Sequence, residues 1–485
     1  MNDQPATGPG AGMPSDRESW RELLRSILGE SAADDAMKAL EAGGFDPAAL
    51  AQAAGLPQDP GAMASMLSHI QRLLATPGTG PVNWDLAYDI ARQTAVTGGD
   101  PTVTAAQSTQ IVSALTAADL WLDAATELAP APAGYEAWSR STWVERTLPT
   151  WKRLAEPIAA SVANALVQAM RATGTEAFGA DATDAASGMI RQLGGAVFGM
   201  QVGQAVGTLA REVFGSSDLG LPLLERPGSA LIPATIAAYG ADLDAPAEEV
   251  RHFLAVREAA HTRLFAQVPW LRAHLLGAVE EYARGIAIDT DAMEAAVRSI
   301  DPSDPEALRE AFSSGVFALE RTPPQEAALR RLETALALVE GWVEHVTAQA
   351  VAPHLPHGVP LREMLRRRRA AGGPAEQTFS SLVGLELRPR RARDAALLWA
   401  TLEHEDGVAG RDAIWDHPDL LPTAEDLDDP GGFSSRRAAA TAAESEVDAA
   451  LASIFETGAA SASESPAEDA AGSEEPGEAD TTEDS

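Results

Sequence analysis

No cysteine occurs in the 485-residue chain, so disulfides, thiolate zinc sites and cysteine nucleophiles are excluded, and any metal must rest on histidine and carboxylate. Positive charge is also scarce: 36 Lys and Arg stand against 71 Asp and Glu, a formal net charge of −35. Binding to nucleic acid or to anionic lipid needs a positive surface, so neither nucleic acid nor membrane is expected as a partner. There is no phosphate-binding loop, no dinucleotide fingerprint and no G-x-S-x-G elbow, and alternating strand patterns are few. The N-terminal stretch lacks both a basic start and an apolar core, so no secretory signal is read there and a cytoplasmic location is expected.

Apolar residues make up 45% of the chain, enough for a sizeable core. From 80 to 432 they recur at spacings of three and four, which predicts a mainly α body. Residues 1–79 mix short helical pieces with Gly/Pro-rich connectors and read as a flexible N-terminal region. A last helix is expected within 433–456, and 457–485 reads as a disordered acidic tail, too poor in apolar residues to offset chain entropy. Residues 438–485 hold thirteen Asp or Glu and no Lys or Arg; without them −35 becomes −22, so the body is acidic in its own right.

One stretch invites a membrane reading. Residues 192–210 carry no formal charge, and Gly195, Gly199, Gly203 and Gly207 repeat every four residues, the small-xxx-small pattern. Gln192, Gln201 and Gln204 interrupt it and Arg191 and Arg211 close it, so a helix packed tightly through its glycine face is the expectation.

The chemistry concentrates on a helix predicted to start near Pro246, with Glu248 and Glu249 where the helix dipole favours negative charge, and to run to about Gln267. Its inward stripe reads Val250, Leu254, Arg257, His261, Leu264 and Val268, with Arg257 and His261 one turn apart. Arg257-Glu258-Ala259-Ala260-His261 is an altered HExxH motif. In the intact motif two imidazoles four residues apart bind one zinc ion, and the intervening Glu acts on the metal-bound water as general base. Here the first imidazole is an arginine, which has no lone pair to offer a metal at working pH.

The longer string VREAAHTRLF (256–265), followed by VPWLR (268–272), resembles the zincin-like metallopeptidase type 2 family. GPVNWD (80–85), DLGLP (218–222), EGW (340–342), GLEL (384–387) and HPDLLP (417–422) with DLD (426–428) are similar to that family as well. The resemblance spans about 80–432 and implies a zincin-like, largely helical domain of hydrolase ancestry. Carried over residue by residue, it makes Glu258 the catalytic base and His261 the second metal ligand, while Arg257 departs from the first.

A third ligand would have to come from another helix. Glu340 is the first choice: it lies on the edge of the stripe Leu329, Leu332, Leu336, Val339, Val343 and Val346, with Glu344 one turn on. Glu281 is the runner-up, on the next helix at a spacing like that of peptidases whose third ligand is a Glu there. His252 and His345 fall on the wrong faces, and the remaining histidines sit in polar or Pro-rich surroundings.

A charged Arg on an inward stripe requires a carboxylate, because an unpaired buried charge loses several kcal/mol of solvation. Arg257 is therefore expected either to stand in the place of the metal in a bidentate pair with Glu340 or Glu281, or to snorkel to solvent from the stripe edge. The basic clusters Arg366–Arg369 and Arg388, Arg390, Arg391 and Arg393 could contact phosphate or an acidic partner, but against a net charge of −35 they read as internally paired. Two functions stay open. One is a zinc-dependent metallopeptidase or hydrolase with Glu258 as base and zinc on His261 and Glu340; the other is a non-catalytic, metal-free scaffold or binding protein. The peptide or protein it meets, and its oligomeric state, are not readable.

Overall fold

The computed structural model describes residues 80–172, 180–285, 322–372, 380 and 391–463. The expected flexible region 1–79 and the tail from 464 onward lie outside these residues. In chain order the elements are α1 (Trp84–Ala95), α2 (Ala105–Leu122), β1 (Tyr135–Ala137), α3 (Arg140–Ala172), α4 (Ala180–Glu212), β2 (Ser229–Leu231), α5 (Pro233–Gly240), α6 (Ala247–Gln267), α7 (Pro269–Arg284), α8 (Pro323–Val351), α9 (Gly358–Ala371), α10 (Ala392–Ala413), α11 (Ala424–Asp428) and α12 (Phe433–Ser463). The fold is mainly α. The described residues up to Pro430 form one compact unit and those from Gly431 another. Within the second unit α12 carries its helix past residue 456, and Val447, Leu451 and Ile454 are exposed along it.

Local sequence explains where helices begin. Thr104 and Gln107 form a capping box at α2, and Thr322 with Gln325 forms one at α8, each satisfying two end N–H groups that the helix leaves free. At α1 the cap is Asn83, whose side chain accepts from the Leu86 N–H at 3.1 Å.

The glycine repeat has a packing cause. A Cβ added at Gly199 would lie 2.6 Å from the Asn83 carbonyl oxygen, and at Gly203 or Gly207 2.5 Å from those of Ala87 and Ala91. The glycine face of α4 is thus pressed onto the backbone of α1, closer than any side chain permits. Among the described residues no helix is long and apolar enough to cross a membrane.

Helix α6 lies at the centre, in contact with α2, α5, α7, α8, α9 and β2. Val250 and every residue from Phe253 to Phe265 are buried, so the single inward stripe expected from periodicity is an underestimate. Charge can sit within this buried stretch because Arg257, Glu258 and Arg263 each find hydrogen-bond partners. Arg263, 1% exposed, donates to Asp119 Oδ1 at 2.8 Å, the Asp119 carbonyl at 2.6 Å and Asp123 Oδ1 at 2.8 Å, which ties α6 to α2.

Alternating strand patterns are few in the sequence, yet the structure places two short strands beside the motif helix. β1 and β2 pair in parallel, Tyr135 opposite Ser229 through Ala137 opposite Leu231, and β2 packs against α6. Three residues are too few for an alternating pattern to register.

Candidate functional site

The altered motif is split between two environments. Glu258 turns toward the loop after α4. Its Oε1 accepts from the Ser216 N–H at 3.1 Å and the Ala230 N–H of β2 at 3.4 Å, and its Oε2 accepts from the Ser217 N–H at 3.1 Å. Ser216 Oγ also bonds Oε1 and lies 2.9 Å from the Gly228 carbonyl. At Gly215 a Cβ would come within 2.6 Å of Glu258 Oε2, so only glycine lets the loop close on the carboxyl. Burial pushes the Glu258 carboxyl up to about 7, the bonds from Ser216, Ser217 and Ala230 offsetting only part of the desolvation. Below about pH 7 a proton on this carboxyl would also complete the hydrogen bonding: Ser216 has one hydroxyl hydrogen for two acceptors, and a protonated Glu258 supplies the second donor.

Arg257 and His261 turn the other way, toward α8. Arg257 Nη2 donates to Glu340 Oε2 at 2.8 Å. His261 Nε2 lies 3.0 Å from Glu340 Oε1, and its Nδ1 lies 2.9 Å from the Arg257 carbonyl, one helical turn back. A second arginine, Arg369 from the last turn of α9, also reaches Glu340 Oε2 and bonds Asp218 Oδ1 at 3.1 Å. Burial would raise the Glu340 carboxyl, but Arg369, Arg257 and His261 together hold it well below the usual carboxylate range. Gly220, at φ +70°, passes its backbone beside this carboxylate; a Cβ there would lie 2.9 Å from Glu340 Oε1.

Arg257, His261 and Glu340 come together. Arg257 is 6% exposed and does not snorkel, and its contact with Glu340 is a single hydrogen bond rather than a bidentate pair, since Arg369 shares the same oxygen. Glu258 sits on another side of α6. Glu281 stands outside the cluster, half-exposed on α7 and paired with Arg331. Glu344 binds Arg366, and His345 lies 2.6 Å from Glu403. His252 and His354 both stack on Trp121. Arg369, Asp218, Ser216 and Ser217 were not anticipated. Arg369 stood within a basic run that reads as internally paired, and that pairing is what occurs, but a run of like residues does not say which member reaches inward.

A family model described as zincin-like metallopeptidase matches residues 82–434. The chain belongs to this zincin-like metallopeptidase family. A crystal structure of a candidate hydrolase with a novel fold from Chloroflexus aurantiacus superposes with a TM-score of 0.52 at 18% identity, covering 73% of this chain and 98% of that one. At that identity the likeness speaks for the fold alone. No curated protein matches the chain.

A zincin-like site needs donor atoms with lone pairs left for the metal. The first motif position here is a guanidinium. Both oxygens of Glu340 are engaged, Oε2 by two arginines and Oε1 by His261. Among the described residues no three His, Asp or Glu side chains gather as a metal site would require. The donor set present does not fit a zinc ion.

Proposed function

We propose that this chain is a non-catalytic, metal-free member of the zincin-like metallopeptidase family that acts by binding rather than by hydrolysis. One observation carries the reading: Arg257 Nη2 stands 2.8 Å from Glu340 Oε2, so a cation fixed to the chain neutralises the carboxylate that a zinc ion would otherwise hold. The placement of Glu258 supports it. A general base must reach the reacting water, whereas this carboxyl is 3% exposed and bonded to Ser216, Ser217 and Ala230.

The competing reading keeps zinc on His261 and Glu340 with Glu258 as base, and family membership favours it. Zinc per chain, measured by elemental mass spectrometry on protein purified without a His tag, separates the two. The expected value is far below one; a value near one that is lost in His261→Ala overturns the proposal. Arg257→His alone is expected to stay metal-free, because Arg369 still occupies Glu340. Arg257→His combined with Arg369→Ala removes both cations and is the variant expected to gain zinc.

A further inference from the structure

The Glu340 cluster forms one wall of a cavity of about 400 Å³, within the span of roughly 300–1,000 Å³ usual for small-ligand sites. Five arginines line it: Arg257, Arg362, Arg366, Arg369 and Arg393. Among the described residues two carboxylates line it, Glu340 and Glu344, and Asp218 pairs with Arg369 from outside the wall. Glu340 is shared by Arg257 and Arg369, and Glu344 takes Arg366. Arg362 and Arg393 make no direct ion pair among the described residues, although the charge of Arg393 is felt by Glu363 and helps to lower its carboxyl. The Nε of Arg366 is buried without a hydrogen-bond partner. Arg257 is buried, Arg362, Arg366 and Arg369 are half-buried and Arg393 is exposed, so solvent screens part of their mutual repulsion, and a counter-anion entering the cavity would screen more of it. Planar guanidinium groups on several sides of a cavity match the oxygens of carboxylate and phosphoryl groups.

We infer that this cavity is a binding site for a small ligand carrying two or more oxyanion groups. Phe253 and Leu365 add apolar wall against which such a ligand's carbon skeleton packs. The inference rests on the metal-free reading of the cluster: Arg257 and Arg369, which satisfy Glu340, also turn a metal-binding wall into part of an anion-binding one.

The test is calorimetric titration of the full chain, at fixed ionic strength, with pyrophosphate, citrate and acetate. Pyrophosphate or citrate is expected to bind saturably at one site and acetate much more weakly; which of the two wins tells phosphoryl from carboxylate ligands. Arg362→Ala and Arg393→Ala, which remove no ion pair, should each weaken binding about tenfold while leaving the melting temperature within a few degrees. Absence of saturable binding, or binding unchanged in both variants, overturns the inference. Repeating the titration after treatment with 1,10-phenanthroline, an uncharged chelator, keeps the two proposals apart. Zinc near one per chain, with anion binding abolished by the chelator, would place the anion on a metal and overturn the metal-free reading. Zinc-free protein that binds neither polyanion overturns the anion site alone.

Discussion

Glu258 and Glu340 are both buried glutamates at the faces of α6, and their surroundings drive them apart. Glu258 accepts from dipoles, the N–H groups of Ser216, Ser217 and Ala230 and one hydroxyl, and meets no cation among the described residues; burial, with a smaller push from the charge of Asp218, raises its carboxyl to about 7. Glu340 meets two guanidinium groups and an imidazole, and its carboxyl is held well below the usual range. Oriented dipoles do not fully offset the loss of solvation here, whereas converging cations do. The first glutamate is a clamp that closes the loop after α4 onto the central helix. The second is the counter-charge of a cation cluster that opens into a cavity.

The largest effect is expected from removing the counter-charge. In Glu340→Ala, Arg257 and Arg369 would face each other across a buried space with only Asp218 left to Arg369. Loss of one partner from a buried ion pair costs about 3–5 kcal/mol, and this variant should lose that much in urea unfolding. A loss under about 1 kcal/mol would mean that the arginines swing into the cavity and find water.

The two carboxyls also divide the pH axis. Glu258 is raised from an ordinary 4.5 to about 7, so the folded chain holds a proton there that the unfolded chain releases. Its contribution is full below about 4.5 and is lost as pH rises through about 7, a fall of up to about 3 kcal/mol. Glu340 is lowered, so its contribution is present above 4.5 and is lost only as pH drops below that value toward its folded one. Glu258→Gln should therefore flatten the decline in stability between pH 5 and 8 and leave acid unfolding below pH 4.5 as it was. An unchanged slope between pH 5 and 8 in this variant would show that Glu258 is ionised in the fold.

How far this contrast could be seen in advance depends on what each partner is made of. Helix α6 was legible because its motif and apolar spacing are both local, and Glu340 because it sits at the edge of a long stripe on α8. The glycine repeat announced a close helix contact, although nothing in it named α1. Charges on α6 hid its full burial: Glu258 and Arg263 interrupt the apolar pattern, yet each turns inward to a partner distant in sequence, Ser216 for one and Asp119 for the other. The clamp on Glu258 was illegible because most of its donors are backbone N–H groups, which every residue but proline possesses. Arg369 was hidden by its neighbours, since four consecutive arginines on α9 fan out around the helix: Arg366 to Glu344, Arg367 to Glu363, Arg368 to the Glu212 carbonyl and Arg369 to Glu340.

The finest distinction lies within the cation cluster, between the arginine that replaces a motif histidine and the one that arrives from α9. Arg257→Ala leaves Arg369 and His261 on Glu340, so that carboxylate stays neutralised and the loss should be smaller, about 1–3 kcal/mol, reflecting one charge-assisted hydrogen bond and some lost packing. Arg369→Ala leaves Arg257 and His261 in place and should cost a similar amount. If both arginines act on the same oxygen, the double variant must lose more than the two single losses combined, because Glu340 then has only His261. Strict additivity in urea unfolding would show that the arginines act separately. A neutral Arg257→Ala would remove the ion pair as the reason an arginine stands at this position and leave it the role of a cation lining the cavity.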